Sequence, residues 1–185
     1  MGIIRSVAPV KLFVGVLTSL PEMLPAAEER LTAKFGRIDE RSPQFPFDLT
    51  SYYDDEMGSP ILRCFWSFDT LVSPERITEI KKSTNEIEHE LTGLQVHVRR
   101  PVNLDPGYLE ESKIVLASTK NFYHRILLAE GIYGEVTLHY AAGAWHSFPW
   151  SFPDFRSSRY HEFFLRLRAV YRRQLKDGAG YGKAK

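Results

Sequence analysis

Residues 99–156 carry more polar and aromatic side chains than a core requires, and chemistry would sit among them. The stretch begins Arg99-Arg100-Pro101-Val102-Asn103-Leu104-Asp105-Pro106-Gly107-Tyr108 and passes Ser118-Thr119-Lys120 and Glu135-Val136-Thr137-Leu138-His139-Tyr140. It closes on Phe148-Pro149-Trp150-Ser151-Phe152-Pro153-Asp154-Phe155-Arg156. Guanidinium forks suit phosphate or carboxylate, and lysine adds a point charge. Arg99, Lys120 and Arg125 are therefore the candidate ligand-holding cations, with Trp150 as a ring to stack on a planar group. Neighbours on a strand point to opposite sides, so only one of Arg99 and Arg100 can line a given cavity. Glu135 and His139 are the candidate catalytic groups, because proton transfer needs a shielded group with a shifted pKa. Both alternate onto one strand face with Thr137, yet they lie about 13 Å apart at the rise of a strand, too far to pair directly. Arg125, before the opposite strand, is the candidate partner of Glu135. The plainer account of these residues is a solvated hairpin face with one cross-strand ion pair.

Other constellations read as structure. Asp54-Asp55-Glu56 are consecutive, cannot all face one ion, and read as a surface turn. Asp105-Pro106 reads as a helix cap with proline at the first helical position. Asp154 and Arg156 read as an ion pair locking their aromatic segment. The six histidines make no His-Glu-x-x-His pair, so no metal site is expected. No Gly-x-Ser-x-Gly elbow is present. Cys64, the only cysteine, precludes an internal disulfide and sits in the apolar run Ile61–Trp66, as a buried residue would.

The elements that must position these residues follow from periodicity. Val10–Leu17 is rich in β-formers. Ser19-Leu20-Pro21-Glu22 has capping-box spacing, and Leu24, Ala27, Leu31 and Phe35 follow at helical intervals up to Gly36. A short extended piece is expected around Phe45–Leu49, and residues 60–68 form a second strong strand. Ser73-Pro74 opens a helix with Ile77, Ile80, Thr84, Ile87 and Leu91 inward, ended by Gly93. Leu94, Val96 and Val98 alternate as a half-buried strand. This β-α-β-β-α-β order predicts an α+β fold with a ferredoxin-like sandwich over residues 10–100. Residues 101–177 are expected to extend it. A short helix runs from Asp105 to about Ala117, although Ile114-Val115-Leu116 also fits a strand. A hairpin follows over 124–130 and 135–140. A final helix, capped by Ser157 or Ser158, turns Tyr160, Phe163, Phe164, Leu167, Val170, Tyr171 and Leu175 inward. Residues 178–185 are expected to be a flexible tail outside a single domain of residues 1–177.

The 185 residues suffice for one domain with its own core, and a net charge of +1 argues against a strong field over the whole surface. No apolar run reaches the ~18 residues needed to span a bilayer. Arg5, Pro9 and Lys11 interrupt the N-terminus, which makes a poor signal peptide; a cytoplasmic location is expected. The last helix carries Arg159, Arg166, Arg168, Arg172, Arg173 and Lys176, read as a solvated basic face.

Five segments together carry a family resemblance: Leu12-Phe13-Val14-Gly15-Val16-Leu17-Thr18; Tyr52-Tyr53 through Glu56-Met57-Gly58; Asn103-Leu104-Asp105-Pro106-Gly107-Tyr108-Leu109; Gly131-Ile132-Tyr133 with Glu135-Val136-Thr137-Leu138; and Trp150 through Pro153-Asp154-Phe155-Arg156. The chain resembles the prokaryotic family known as domain of unknown function 4416. The resemblance implies a small bacterial or archaeal cytosolic protein and no settled activity. Members are often labelled GTP-binding, yet no Gly-x-x-x-x-Gly-Lys-Ser/Thr phosphate loop and no Asn-Lys-x-Asp guanine reader occurs here. The residues single out no cofactor and no oligomeric state.

The leading expectation is a site for a small anionic ligand, a nucleotide or phosphorylated metabolite, between the end of the fourth strand and the late hairpin. The alternative is a non-catalytic RNA-binding or protein-interaction module. RNA-recognition domains stack bases on strand aromatics; Phe13, and Phe65 and Phe68 in Ile61–Phe68, are the candidates, but the basic-Gly-aromatic-Gly-aromatic pattern lacks its glycines and leading basic residue.

Overall fold

The strand β1 (Val10–Thr18) is buried along all nine of its residues, because the sheet around it is covered on both faces. The structure is a computed structural model and describes residues 2, 3, 6–94 and 97–181. After β1 come α1 (Leu24–Phe35), β2 (Ile38–Arg41), β3 (Phe45–Pro46), α2 (Asp54–Met57), β4 (Leu62–Val72) and α3 (Ile77–Thr92). The second half holds β5 (Asn103–Leu109), β6 (Lys113–Ser118), β7 (Ile126–Ala129), β8 (Ile132–Ala141), β9 (Ala144–Ser147), α4 (Pro153–Arg156) and α5 (His161–Tyr181). The fold is mixed α+β. Its antiparallel sheet runs β2-β4-β1-β5-β6-β8-β7, with β3 also on β4 and β9 also on β8.

Side-chain alternation sends β1 into two cores. Leu12, Val14 and Val16 meet Cys64, Trp66 and Phe68 of β4, beneath Ala27 and Leu31 of α1 and Ile80, Ile87 and Leu91 of α3. Phe13 turns to the opposite face and packs with Phe65, Phe155 and the α5 residues Phe163, Phe164, Leu167 and Tyr171. Phe65 meets five rings there, with centroids between 4.8 and 6.2 Å. Full burial of each such side chain contributes roughly 1.5–3 kcal/mol. Phe13 and Phe65 are both 0% exposed, so α5 closes the surface on which they would have stacked bases.

Local signals set most boundaries. Ser73 Oγ accepts the Glu75 N–H at the turn leading into α3, and Gly36, with φ 93°, ends α1 in a conformation that favours glycine. Ser19 makes no capping box; its hydroxyl bonds the Met57 carbonyl instead. Glu130-Gly131, both at positive φ, turn β7 into β8. The inward stripe of α5 is as expected at Tyr160, Phe163, Phe164, Leu167 and Tyr171, with Val170 and Leu175 half-buried. The helix continues to Tyr181, past the point at which a tail was expected, and residues 182–185 lie outside the described residues.

Two expectations are corrected. The fourth strand of the first half is not 94–98. Residues 95 and 96 lie outside the described residues, 97–99 are bends, and β1 is flanked instead by Asn103–Leu109. The helix expected over 105–117 is the β5–β6 hairpin. Asp-Pro reads locally as a helix start, but a proline also fits a strand where its missing N–H faces no partner. β6 pairs with β5 only at Gly107–Leu109, so Pro106 stands where that ladder has ended.

At the far edge, β7 leaves Ile126, Leu127 and Leu128 exposed. Among the described residues no helix is long and apolar enough to cross a membrane.

Candidate functional site

The end of the β5–β6 ladder opens the sheet. Leu104 lies beyond the pairing with β6, and α3 supplies its partners: Glu88 Oε1 accepts the Leu104 N–H at 2.7 Å, and Lys81 Nζ donates to its carbonyl at 2.8 Å. Lys81 is buried and Glu88 half-buried, and together they stand in for a neighbouring strand. Burial drives the Glu88 carboxyl above the ordinary range, while Lys81 and Arg100 act against that shift. On the α5 side of the sheet, at the end that α5 leaves uncovered, the gap widens into a cavity of ≈ 540 Å³. This size lies within the usual range of small-molecule sites.

Arg63, from β4, lies at the floor and is 5% exposed. It leans over Gly15 of β1, where an added Cβ would stand 2.8 Å from Nη1; a side chain there would displace the guanidinium. Nη1 donates to Asp105 Oδ2 at 3.4 Å, and Nε lies 3.4 Å from Asp154 Oδ2 without forming a hydrogen bond. Burial alone would lower the Arg63 pKa, but the carboxylates of Asp154 and then Asp105 outweigh it and raise it. Asn103 Nδ2 donates to Asp105 at 2.8 Å, and the Tyr160 hydroxyl donates to Asp154 at 3.1 Å. Asp105 is therefore a cavity residue rather than a helix cap, and Asp154 faces Arg63 rather than Arg156.

One wall is the segment between β6 and β7. Arg125 Nε donates to Glu135 at 2.7 Å, and its Nη1 donates to Ser118 Oγ and to the Lys120 carbonyl. Glu135 also meets His124 Nε2 at 3.1 Å and accepts from Thr137 at 3.0 Å. This expected cross-strand pair ties the wall to β8. At the mouth, Lys120 Nζ donates to the Tyr52 hydroxyl at 2.6 Å and lies 4.4 Å from that ring's centre. Among the described residues Lys120 has no carboxylate partner. Tyr52, Phe122 and Phe152 are exposed rings around it.

Of the six residues singled out from sequence, Lys120, Arg125, Glu135 and Trp150 line this cavity, and Arg99 and His139 do not. Arg99 is exposed, and its neighbour Arg100 is the one that turns in, held by Glu88 at 2.7 Å. His139 is removed by a bulge. Glu135 pairs with Leu116 and Leu138 with Ile114, so Thr137 is an extra residue and the alternation slips. Leu138 then shares the α5 face with Glu135, and His139 instead stacks on His146. Trp150 already carries protein rings, Phe148 at 4.7 Å and His124 at 5.8 Å, and its indole N–H bonds the Val136 carbonyl. It braces the wall.

Sequence reasoning missed Arg63, Lys81 and Asp105. A signal existed for Arg63, the sole charge in the apolar run Ile61–Phe68. None existed for Lys81, whose role depends on β6 departing. Cys64 is buried on the other face, its thiol pushed up to about 12 by burial, as an inert core residue requires.

The cavity is thus lined by five cations, Arg63, Lys81, Arg100, Lys120 and Arg125, against the carboxylates Asp105, Glu135 and Asp154. Its architecture belongs to a mixed α+β protein with a polar cleft at a split in its sheet. The chain is a member of the family described as Domain of unknown function (DUF4416), which matches residues 8–171. That match takes in every residue of the cavity lining. No curated protein and no solved structure matches the chain.

Proposed function

We propose that the cavity binds a small anionic ligand, a nucleotide or phosphorylated metabolite, with the anion at its mouth. The observation that carries this reading is Lys120, a cation without a carboxylate partner among the described residues, set beside Ser118 and Thr119 on a cavity lined by more cations than carboxylates. Arg125 and Arg100 are engaged by Glu135 and Glu88 and shape the walls. Glu135, held by three protein groups, fits a positioning role better than proton transfer. A GTP-binding role, if the family label holds, falls to this cavity, since the chain has no phosphate-loop motif. A cytoplasmic location accords with phosphorylated ligands.

The first half is read as a ferredoxin-like unit. Its support is the order β2-β4-β1-β5, with α1 and α3 packed together over one face, which two interleaved βαβ crossovers produce.

A thermal-shift screen against nucleotides and sugar phosphates tests the reading. Ligand at 100 times its dissociation constant stabilises by about 2.7 kcal/mol, and Lys120→Ala should remove that gain. No stabilisation by any phosphorylated compound would rule the reading out.

A protein-interaction module is favoured by one observation, the exposed apolar edge strand β7. Measuring oligomeric state and partner binding for Leu127→Lys tests it.

A further inference from the structure

The floor of the cavity differs from its mouth. Arg63 is a buried guanidinium with five N–H donors, and its one hydrogen bond among the described residues is the 3.4 Å contact to Asp105. Its Nε is buried against Asp154, out of a ligand's reach, whereas Nη2 donates to no described residue and stays accessible, so the guanidinium has N–H groups to offer. A phosphate does not fit there, since Asp105 and Asp154 already flank the guanidinium and would repel it. Asp105 keeps 25% of its side chain accessible while Asp154 keeps 2%, so Asp105 is the carboxylate offered to a ligand. Its Oδ2 is taken by Asn103 and Arg63; its Oδ1 lies 4.0 Å from Lys81 Nζ and accepts no hydrogen bond among the described residues. The floor therefore presents a free acceptor beside a free donor, with charge balanced. The matching group is neutral and both donates and accepts, which is a hydroxyl.

Resting on the anion-binding reading, we infer that the ligand is a phosphorylated sugar whose hydroxyls are held by Asp105 and Arg63 while its phosphate meets Lys120. A carboxylate accepting from sugar hydroxyls is an established way of reading a ribose. Buried polar groups built for a hydroxyl discriminate strongly against analogues lacking one, because they are then left unpaired.

Isothermal titration of the full chain with ribose 5-phosphate, ethyl phosphate, free ribose and guanosine 5′-monophosphate tests this. Ribose 5-phosphate should bind at least about tenfold more tightly than ethyl phosphate, a difference of about 1.4 kcal/mol. Asp105→Asn should erase that advantage and leave ethyl phosphate little changed, whereas Lys120→Ala should weaken both phosphates. The wild-type series stands alone should Asp105→Asn fold poorly. Guanosine 5′-monophosphate matching or exceeding ribose 5-phosphate, with the same Asp105→Asn loss, places the sugar inside a nucleotide and supports the inference. Equal affinity for ethyl phosphate and ribose 5-phosphate would overturn the sugar contact while leaving anion binding intact. No binding by any of the phosphates would overturn both.

Discussion

On the face of the sheet beneath α5, Phe13, Phe65 and Gly107 lie in a dry aromatic core. Two residues further along the same three strands, Arg63 and Asp105 lie at the floor of an open cavity, with Gly15 beneath the Arg63 guanidinium. β8 makes the same change, from Leu138 under α5 to Glu135 in the cavity wall. One end of the face is filled by rings from a helix. The other is kept open by a glycine, a split in the sheet and charges that hold one another. The contrast separates two tasks on shared strands: packing that holds the fold together, and polar groups that cost stability unless satisfied.

The sharpest way to break this contrast is at its boundary. Phe65→Ala should cost about 3–5 kcal/mol in urea unfolding, because it empties the centre of a cluster of rings. Arg63→Met, two residues away, should also cost roughly 3 kcal/mol at neutral pH, for a different reason: it strands Asp105 and Asp154 without their cation. The two can be told apart by a second substitution. Asp154→Asn removes a stranded charge, so it should recover part of the Arg63→Met loss and none of the Phe65→Ala loss. No recovery in the Arg63→Met background would mean that the charges at the open end do not compensate one another.

A smaller effect sharpens the role of α3 in the split. The Glu88 carboxyl is raised by burial, so the folded state binds its proton more tightly than the unfolded chain does. Its contribution to stability is present below the ordinary carboxylate range and is lost as pH rises through the raised folded value. The stability of the wild type relative to Glu88→Gln should therefore decline across that interval, and a flat difference would show that Glu88 titrates normally. Smallest of all, Lys120→Ala should change stability by less than about 0.5 kcal/mol, since its hydrogen bond to Tyr52 is exposed. A large loss would make Lys120 a structural strut rather than a ligand contact.

What could be read from sequence follows the same division. Strong periodic elements were legible: β1, α1, α3, the β7–β8 hairpin and the inner stripe of α5 each carry a local pattern. The open end was legible only in part. Lys120, Arg125, Glu135 and Trp150 stood out by residue type, and Arg125 with Glu135 pair as the hairpin suggested. His139 was misplaced because one extra residue at Thr137 reverses the alternation, and no sequence signal marks that bulge. The Asp105-Pro106 pair is a sound helix signal in isolation; here the strand tolerates proline only because β6 departs at that point, which is a tertiary fact. Arg63 was hidden in an apolar strand, although Gly15, which pairs with Phe65 two residues away, was the mark of a side chain that needed room.

The most direct test of the cavity as a ligand site is a titration of the ¹⁵N-labelled protein with ribose 5-phosphate, followed by amide chemical shifts. Saturable changes should cluster at Asn103–Asp105, Ser118–Arg125 and Tyr52–Tyr53, and Lys120→Ala should suppress them. Changes confined to the basic outer face of α5, or none at millimolar ligand, would contradict the account.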